Sequence, residues 1–215
     1  MNARTAHPLF LAGLIAGGSY YATSWIAVPM PVDAVWKGAG VGLLALWAAV
    51  QARSVDGWLI AAALGLGALG DVLLVTHGLT IGALVFLAGH LVAAILYLRN
   101  RSGALWQAVV IALAVAATAW ILPADRAAAP GVALYAAALG AMFGTAAISR
   151  FPQASVGLGA ALFVLSDLLL FGRMGPMAGS ALPGLLIWPT YFAGQALIAS
   201  GVVRSLAHED LHHRL

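Results

Sequence analysis

The stretch GWLIAAALGLGALGDVLLVT, residues 57–76, runs through twenty residues with a single charged side chain, Asp71. About 20 mostly apolar residues in a helix cross the hydrocarbon core of a bilayer, so this segment predicts a transmembrane helix. Seven other segments read the same way, over 9–28, 35–51, 80–98, 103–122, 131–149, 153–171 and 184–204. Short breaks with turn chemistry separate them: Pro29 and Pro31, then 53–56, 77–78, 99–103, 123–130, 150–152 and 172–183. Connections this short make consecutive helices antiparallel. The expected fold is all-α: a polytopic membrane protein of about eight transmembrane helices, forming one transmembrane domain over 1–215 with a polar cytoplasmic tail at 205–215.

Composition agrees. The chain of 215 residues is 63% hydrophobic and 8% charged, with a mean hydropathy of +0.99. A soluble domain carries about 25% charged residues, so this one lacks the charge to cover a water-facing surface. Cysteine is absent, which excludes disulfides, thiolate nucleophiles and Cys-ligated metal centres. The net charge is +3, but the basic residues are scattered singly and form no nucleic-acid footprint. Arg4 precedes an apolar run, yet no small-residue cleavage site and polar mature chain follow, so 9–28 reads as the first span and not as a signal peptide.

Arg and Lys set the orientation. Arg4, Arg53, Arg99, Arg101, Arg150, Arg204 and Arg214 fall on the side of both chain ends, against Lys37, Arg126 and Arg173 on the other. The positive-inside rule then puts both termini in the cytoplasm, in a multi-pass protein of the plasma (inner) membrane. Trp25, Trp36, Trp58, Trp106, Trp120 and Trp188 lie near helix ends, as an interfacial belt requires. The pairs Gly13/Gly17, Gly38/Gly42 and Gly140/Gly144 predict close helix packing.

Five of the seven acidic residues fall in loops or the tail, and two do not: Asp71 and Asp167 lie inside apolar helices three and seven. An Asp at the centre of a membrane helix costs about 2.5–3.5 kcal/mol, so each is a candidate functional residue. The alternative is a structural hydrogen bond to a neighbouring helix. Their contexts match: ALGDVLLV around Asp71 and VLSDLLLF around Asp167, followed by FLAGH ending at His90 and YFAGQ ending at Gln195. This pattern predicts a duplicated four-helix unit, with parallel repeats over 9–98 and 103–204. Both Asp residues then sit at similar depth near the non-cytoplasmic ends of their helices. Tyr191 and Gln195 share one face of helix eight, and His90 and Tyr97 share roughly one face of helix four. Lys37, the sole lysine, starts helix two as an interfacial cation or as the partner of an acidic site or lipid phosphate. Tyr20 reads as a packing aromatic. If the polar groups converge, two desolvated carboxyls can divide the roles of acid and carboxylate, which suits acid catalysis through a cationic intermediate.

Other motifs fail on context. His208-Glu209-Asp210-Leu211-His212 fits H-E-x-x-H, but it follows the last span without a third ligand or a cleft. Ser166, Asp167 and His90 suggest a triad, but adjacent helical residues point about 100° apart. Ser166 is better read as a hydrogen-bonding residue within or between helices. Gly65 and Gly67 follow no strand and form no nucleotide loop. The sequence offers no metal cage and calls for no cofactor.

The eight-span pattern with Gly70-Asp71-x-Leu-Leu in helix three, His90 followed by Tyr97 in helix four, Ser166-Asp167-x-Leu-Leu in helix seven and Tyr191 in helix eight resembles the YhhN-like lysoplasmalogenase family. The resemblance implies a membrane enzyme that hydrolyses the vinyl-ether bond of lysoplasmalogens to a fatty aldehyde and a glycerophospho-ethanolamine or -choline. Its partners would be the lysophospholipid substrate and membrane lipids. Where members of the family tend to carry Lys-Pro, this chain has Lys37-Gly38. On this reading Asp71 and Asp167 divide the acid and base roles, and His90 and Tyr191 orient water or assist proton transfer. Lys37, Tyr97, Ser166 and Gln195 contribute to the substrate site. Two other functions fit the same residues: a small proton-coupled transporter, and a structural or lipid-binding protein in which the Asp residues pin helices together.

Overall fold

The computed structural model describes residues 3–212, with side chains over 8–209. It contains eight α-helices: α1 Ala3–Tyr20, α2 Met30–Gln51, α3 Val55–Thr76, α4 Leu79–Arg99, α5 Leu105–Ile121, α6 Ala129–Ala147, α7 Leu158–Arg173 and α8 Leu182–His212. A 3-10 turn at Tyr21–Ser24 follows α1, and a π-helical turn at Gln153–Gly157 leads into α7. No strand forms among the described residues; Arg101 and Ser149 make one isolated antiparallel bridge. Among the described residues six helices are long and apolar enough to cross a membrane: α2, α3, α4, α6, α7 with its leading turn, and α8. The apolar α5 has 17 residues and α1 has 18.

Local chemistry explains the helix ends. Pro29 caps α2 and Pro31 sits in its first turn, where a missing N–H costs nothing and the fixed φ suits a helix. The helix therefore starts at Met30, ahead of the expected 35. Ser54 caps α3, its Oγ accepting from the Gly57 N–H at 3.2 Å. Gly78 turns α3 into α4 at φ 84°, a backbone conformation open to glycine. The first helix stops at Tyr20, short of 28. Near that end the Trp188 indole N–H donates to the Gly17 carbonyl at 2.8 Å, tying α8 to α1. At the other end α8 continues past 204, because 202–212 contains no Gly or Pro to stop it. The expected tail is thus helical through His212, and Arg214 lies outside the described residues.

Small residues set the packing. Gly38 of α2 faces Val72 and Ala68 of α3, whereas Gly140 and Gly144 of α6 face Ala112 and Ala108 of α5. A Cβ on Gly144 would stand 2.6 Å from the Ala108 carbonyl oxygen, so only glycine allows this approach. The pairs α3/α4 and α7/α8 pack alike. Gly89 meets Ala63 and Gly67, the residues eight and four before Asp71, and Gly194 meets Gly159 and Phe163, the residues eight and four before Asp167. The surroundings of the two pairs differ. The second helix lies along α3, but α6 lies along α5 and α4 and meets α7 only sparsely.

A polar cluster closes the end of the bundle that carries the α2–α3, α4–α5 and α6–α7 connections. Asp56 accepts from the Arg99 Nε at 2.6 Å and from the Asn100 Nδ2 at 2.8 Å. Arg150 donates to the Asn100 Oδ1 at 2.7 Å and pairs with Glu209 of α8. The opposite end has no comparable cluster among the described residues, and the main cavity lies toward it.

Candidate functional site

Asp71 comes from α3 and Asp167 from α7, each near the helix end opposite the polar cluster. At 1.5 Å per residue they lie about 8–9 Å below those ends. Both are buried, at 1% and 7% exposure, and a buried carboxyl requires hydrogen-bond partners. Each has a tyrosine. The Tyr191 hydroxyl of α8 donates to Asp71 Oδ2 at 2.7 Å. The Tyr135 hydroxyl of α6 donates to Asp167 Oδ2 at 2.8 Å. Ser166 Oγ adds a bond to Asp167 Oδ1 at 3.1 Å. Asp167 is therefore bonded at both oxygens, while Asp71 Oδ1 has no hydrogen bond from the described residues.

A second layer stands behind the tyrosines. His90 Nε2 lies 3.0 Å from the Tyr135 oxygen. Because Tyr135 gives its proton to Asp167, its oxygen must accept from His90, which assigns the ring proton to Nε2 and leaves Nδ1 an acceptor. Gln195 Nε2 donates to the Tyr191 oxygen at 3.4 Å, a long bond. Phe163 sits between the two systems, edge-to-face with His90 at 4.9 Å and with Tyr191 at 5.0 Å between centroids.

Both carboxyls line one cavity of about 420 Å³. Its polar lining includes Lys37, Tyr135, Ser166 and Tyr191, and its walls are otherwise mainly aliphatic and aromatic, with Phe86, Phe163 and Trp188 beside the carboxyls. The size falls in the range of small-ligand sites, roughly 300–1,000 Å³. Lys37 Nζ stands 6.0 Å from the Trp188 ring centroid, within cation–π range.

The structure thus brings Asp71, Asp167, Tyr191, Lys37 and Ser166 to one cavity. It does not bring His90, Gln195 or Tyr97 to its wall. His90 is joined to it by a hydrogen bond to Tyr135, and Gln195 by one to Tyr191. All three line a smaller cavity of about 20 Å³ toward the polar-cluster end. The buried Tyr97 hydroxyl has no hydrogen-bond partner among the described residues. Tyr20 lies outside the site and donates to Asp33 at 2.7 Å. Glu209 of the H-E-x-x-H run is engaged by Arg150. Among the described residues no three His, Asp or Glu side chains gather as metal ligands.

Sequence reading missed Tyr135. A tyrosine six residues inside an Ala- and Leu-rich helix resembles an interfacial anchor. The signal that identifies it is the need of a buried Asp for a donor on a neighbouring helix. Trp188, read as a belt residue, also faces the cavity and bonds α1.

No curated protein and no solved structure matches the chain. The model of the YhhN family matches residues 32–202, and the chain belongs to the YhhN family.

Proposed function

We propose that this protein is a membrane-embedded hydrolase that cleaves the vinyl-ether bond of lysoplasmalogens or a closely related lysolipid. The observation that carries the proposal is the pair of buried carboxyls on the wall of one largely apolar cavity, each held by a tyrosine hydroxyl. A vinyl ether needs an acid at its β-carbon, a negative charge near the resulting oxocarbenium ion, and a water.

Asp71 serves as the acid, through Oδ1, which takes no hydrogen bond from the described residues. Its proton goes to the β-carbon, the C=C π pair forms the new C–H bond, and the positive charge is shared by the α-carbon and the ether oxygen. Asp167, held by Tyr135 and Ser166, takes a proton from water as that water adds to the α-carbon, giving a hemiacetal. The roles then reverse. Asp167 returns its proton to the ether oxygen, the Asp71 carboxylate takes the hemiacetal hydroxyl proton, and the C–O bond breaks. The products are a fatty aldehyde and the glycerophospho-alcohol, with both carboxyls restored to their starting states. The rings of Phe86, Phe163 and Tyr191 present π-electron density to the cationic intermediate. Lys37 meets the phosphate at the mouth of the polar region.

Purified protein in detergent, given a lysoplasmalogen in D2O with immediate trapping of the product, tests this directly. The expected product is an aldehyde with one solvent deuterium on the carbon next to the carbonyl. Folded protein that releases no aldehyde, or an aldehyde without that deuterium, contradicts the proposal.

A further inference from the structure

The cavity is polar on one side and apolar on the other. Asp71, Tyr135, Asp167 and Tyr191 form its inner wall. Leu84 of α4 and Leu134 of α6 line the same cavity, yet they are 59% and 69% exposed. The cavity therefore reaches the surface of the bundle at these two residues. Each is the sixth residue of its helix, about 8 Å below the helix start at 1.5 Å per residue. α4 and α6 are each long and apolar enough to cross the hydrocarbon core, so that depth faces lipid chains and not water. Deeper down the two helices close, where Ala93 and Met142 line the smaller cavity. The opening is a side window in the half of the bilayer away from the polar cluster.

We propose that a single-chain lipid enters sideways from that half of the bilayer, between α4 and α6. Its head group lies toward Lys37 and the carboxyls, and its hydrocarbon chain runs out past Leu84 and Leu134 into the membrane. This rests on the lipid-substrate reading given above. The occupant follows from the polarity of the walls: an amphiphile with its reactive bond where head meets chain places that bond at Asp71 and Asp167 while its chain stays among apolar contacts. The window also explains why α6 carries Tyr135 while standing away from α7. The helix forms the outer jamb of the opening and supplies the donor to Asp167 across it.

The chain has no cysteine, so single thiols can be placed without background. In lipid nanodiscs, Leu84→Cys and Leu134→Cys should react with a membrane-partitioning maleimide and resist a charged, water-soluble one. A saturated 1-O-alkyl lysophosphocholine, which has no vinyl ether to cleave, should protect both. At ten times its dissociation constant, occupancy slows labelling about ten-fold. Leu113→Cys, on the lipid face of α5 and 65% exposed, should label without protection. Thr80→Cys, one turn from Leu84 on the same wall, replaces Leu84→Cys if that variant does not fold. Absence of protection at the window positions, or equal protection at Leu113→Cys, overturns the route. Protection reads occupancy and needs no turnover, so it stands even if no aldehyde is ever released. Aldehyde release without protection removes this route and leaves the hydrolase reading intact.

Discussion

Asp71 and Asp167 sit in nearly the same local sequence, on helices that pack against their successors through equivalent glycines, yet they are held differently. Asp71 takes one hydroxyl, from the helix paired with α7, and its other oxygen has no hydrogen bond from the described residues. Asp167 takes two hydroxyls, one from its own helix and one from α6, and has neither oxygen free. Behind Tyr191 stands a long contact to Gln195; behind Tyr135 stands a well-formed bond to a buried histidine. A motif of a few residues thus fixes where a carboxyl lies, while helices elsewhere in the chain decide what it can do. The singly held carboxyl suits a proton donor, and the doubly held carboxylate suits a base that positions water.

The sharpest way to break this comparison is to neutralise each carboxyl. General acid–base groups contribute roughly 10²–10⁴-fold to rate, and Asp71→Asn and Asp167→Asn should each lose at least that much aldehyde release. Their residual rates should differ in kind. In Asp71→Asn protonation of carbon still limits the rate, so a large solvent deuterium effect persists. In Asp167→Asn water addition becomes limiting and the effect shrinks. Equal effects would remove the division of roles.

Tyr135→Phe and Tyr191→Phe come next. A hydrogen bond to a charged group contributes about 1.5–3 kcal/mol, so each variant should slow turnover by tens of fold. Tyr135→Phe should also lower thermal stability, because it leaves the buried His90 N–H without its acceptor and Asp167 with Ser166 alone. His90→Phe removes one neutral bond worth about 1 kcal/mol, so turnover should fall several-fold. Gln195→Leu loses only a 3.4 Å contact, and its turnover should stay closest to wild type among these four. Tyr97→Phe probes the smaller cavity, where the Tyr97 hydroxyl has no hydrogen-bond partner among the described residues. A buried hydroxyl without a partner costs about 1–3 kcal/mol, so the variant should melt higher than wild type in a thermal unfolding assay.

Much of this was legible in the residues. Long apolar runs and singly placed charges are sufficient for a helical membrane bundle, because lipid leaves the backbone few other solutions. A carboxylate inside such a run is costly enough to stand out, which exposes Asp71 and Asp167. The glycine pairs show that helices approach closely but not which helices do: Gly38 of α2 faces the following helix, α3, and Gly140 of α6 faces the preceding one, α5. Tyr135 was hidden for the same reason: its partner lies 32 residues away, and nothing in the sequence of α6 points to it. α1 is tied to α8 by the Trp188 indole donating to the carbonyl of Gly17, a contact between residues 171 positions apart that no local signal announces. His90 and Tyr97 share a helix face, but only the surrounding helices determine that His90 reaches the cavity through Tyr135 while the Tyr97 hydroxyl is left without a partner.

The central claim is that two carboxyls act together on one lipid. It is tested most directly by measuring aldehyde release from a lysoplasmalogen with wild-type protein, Asp71→Asn and Asp167→Asn side by side, each shown by thermal unfolding to be folded. The expected result is aldehyde from the wild type and a rate at least about 100-fold lower from either folded variant. Wild-type rates in either variant would contradict it.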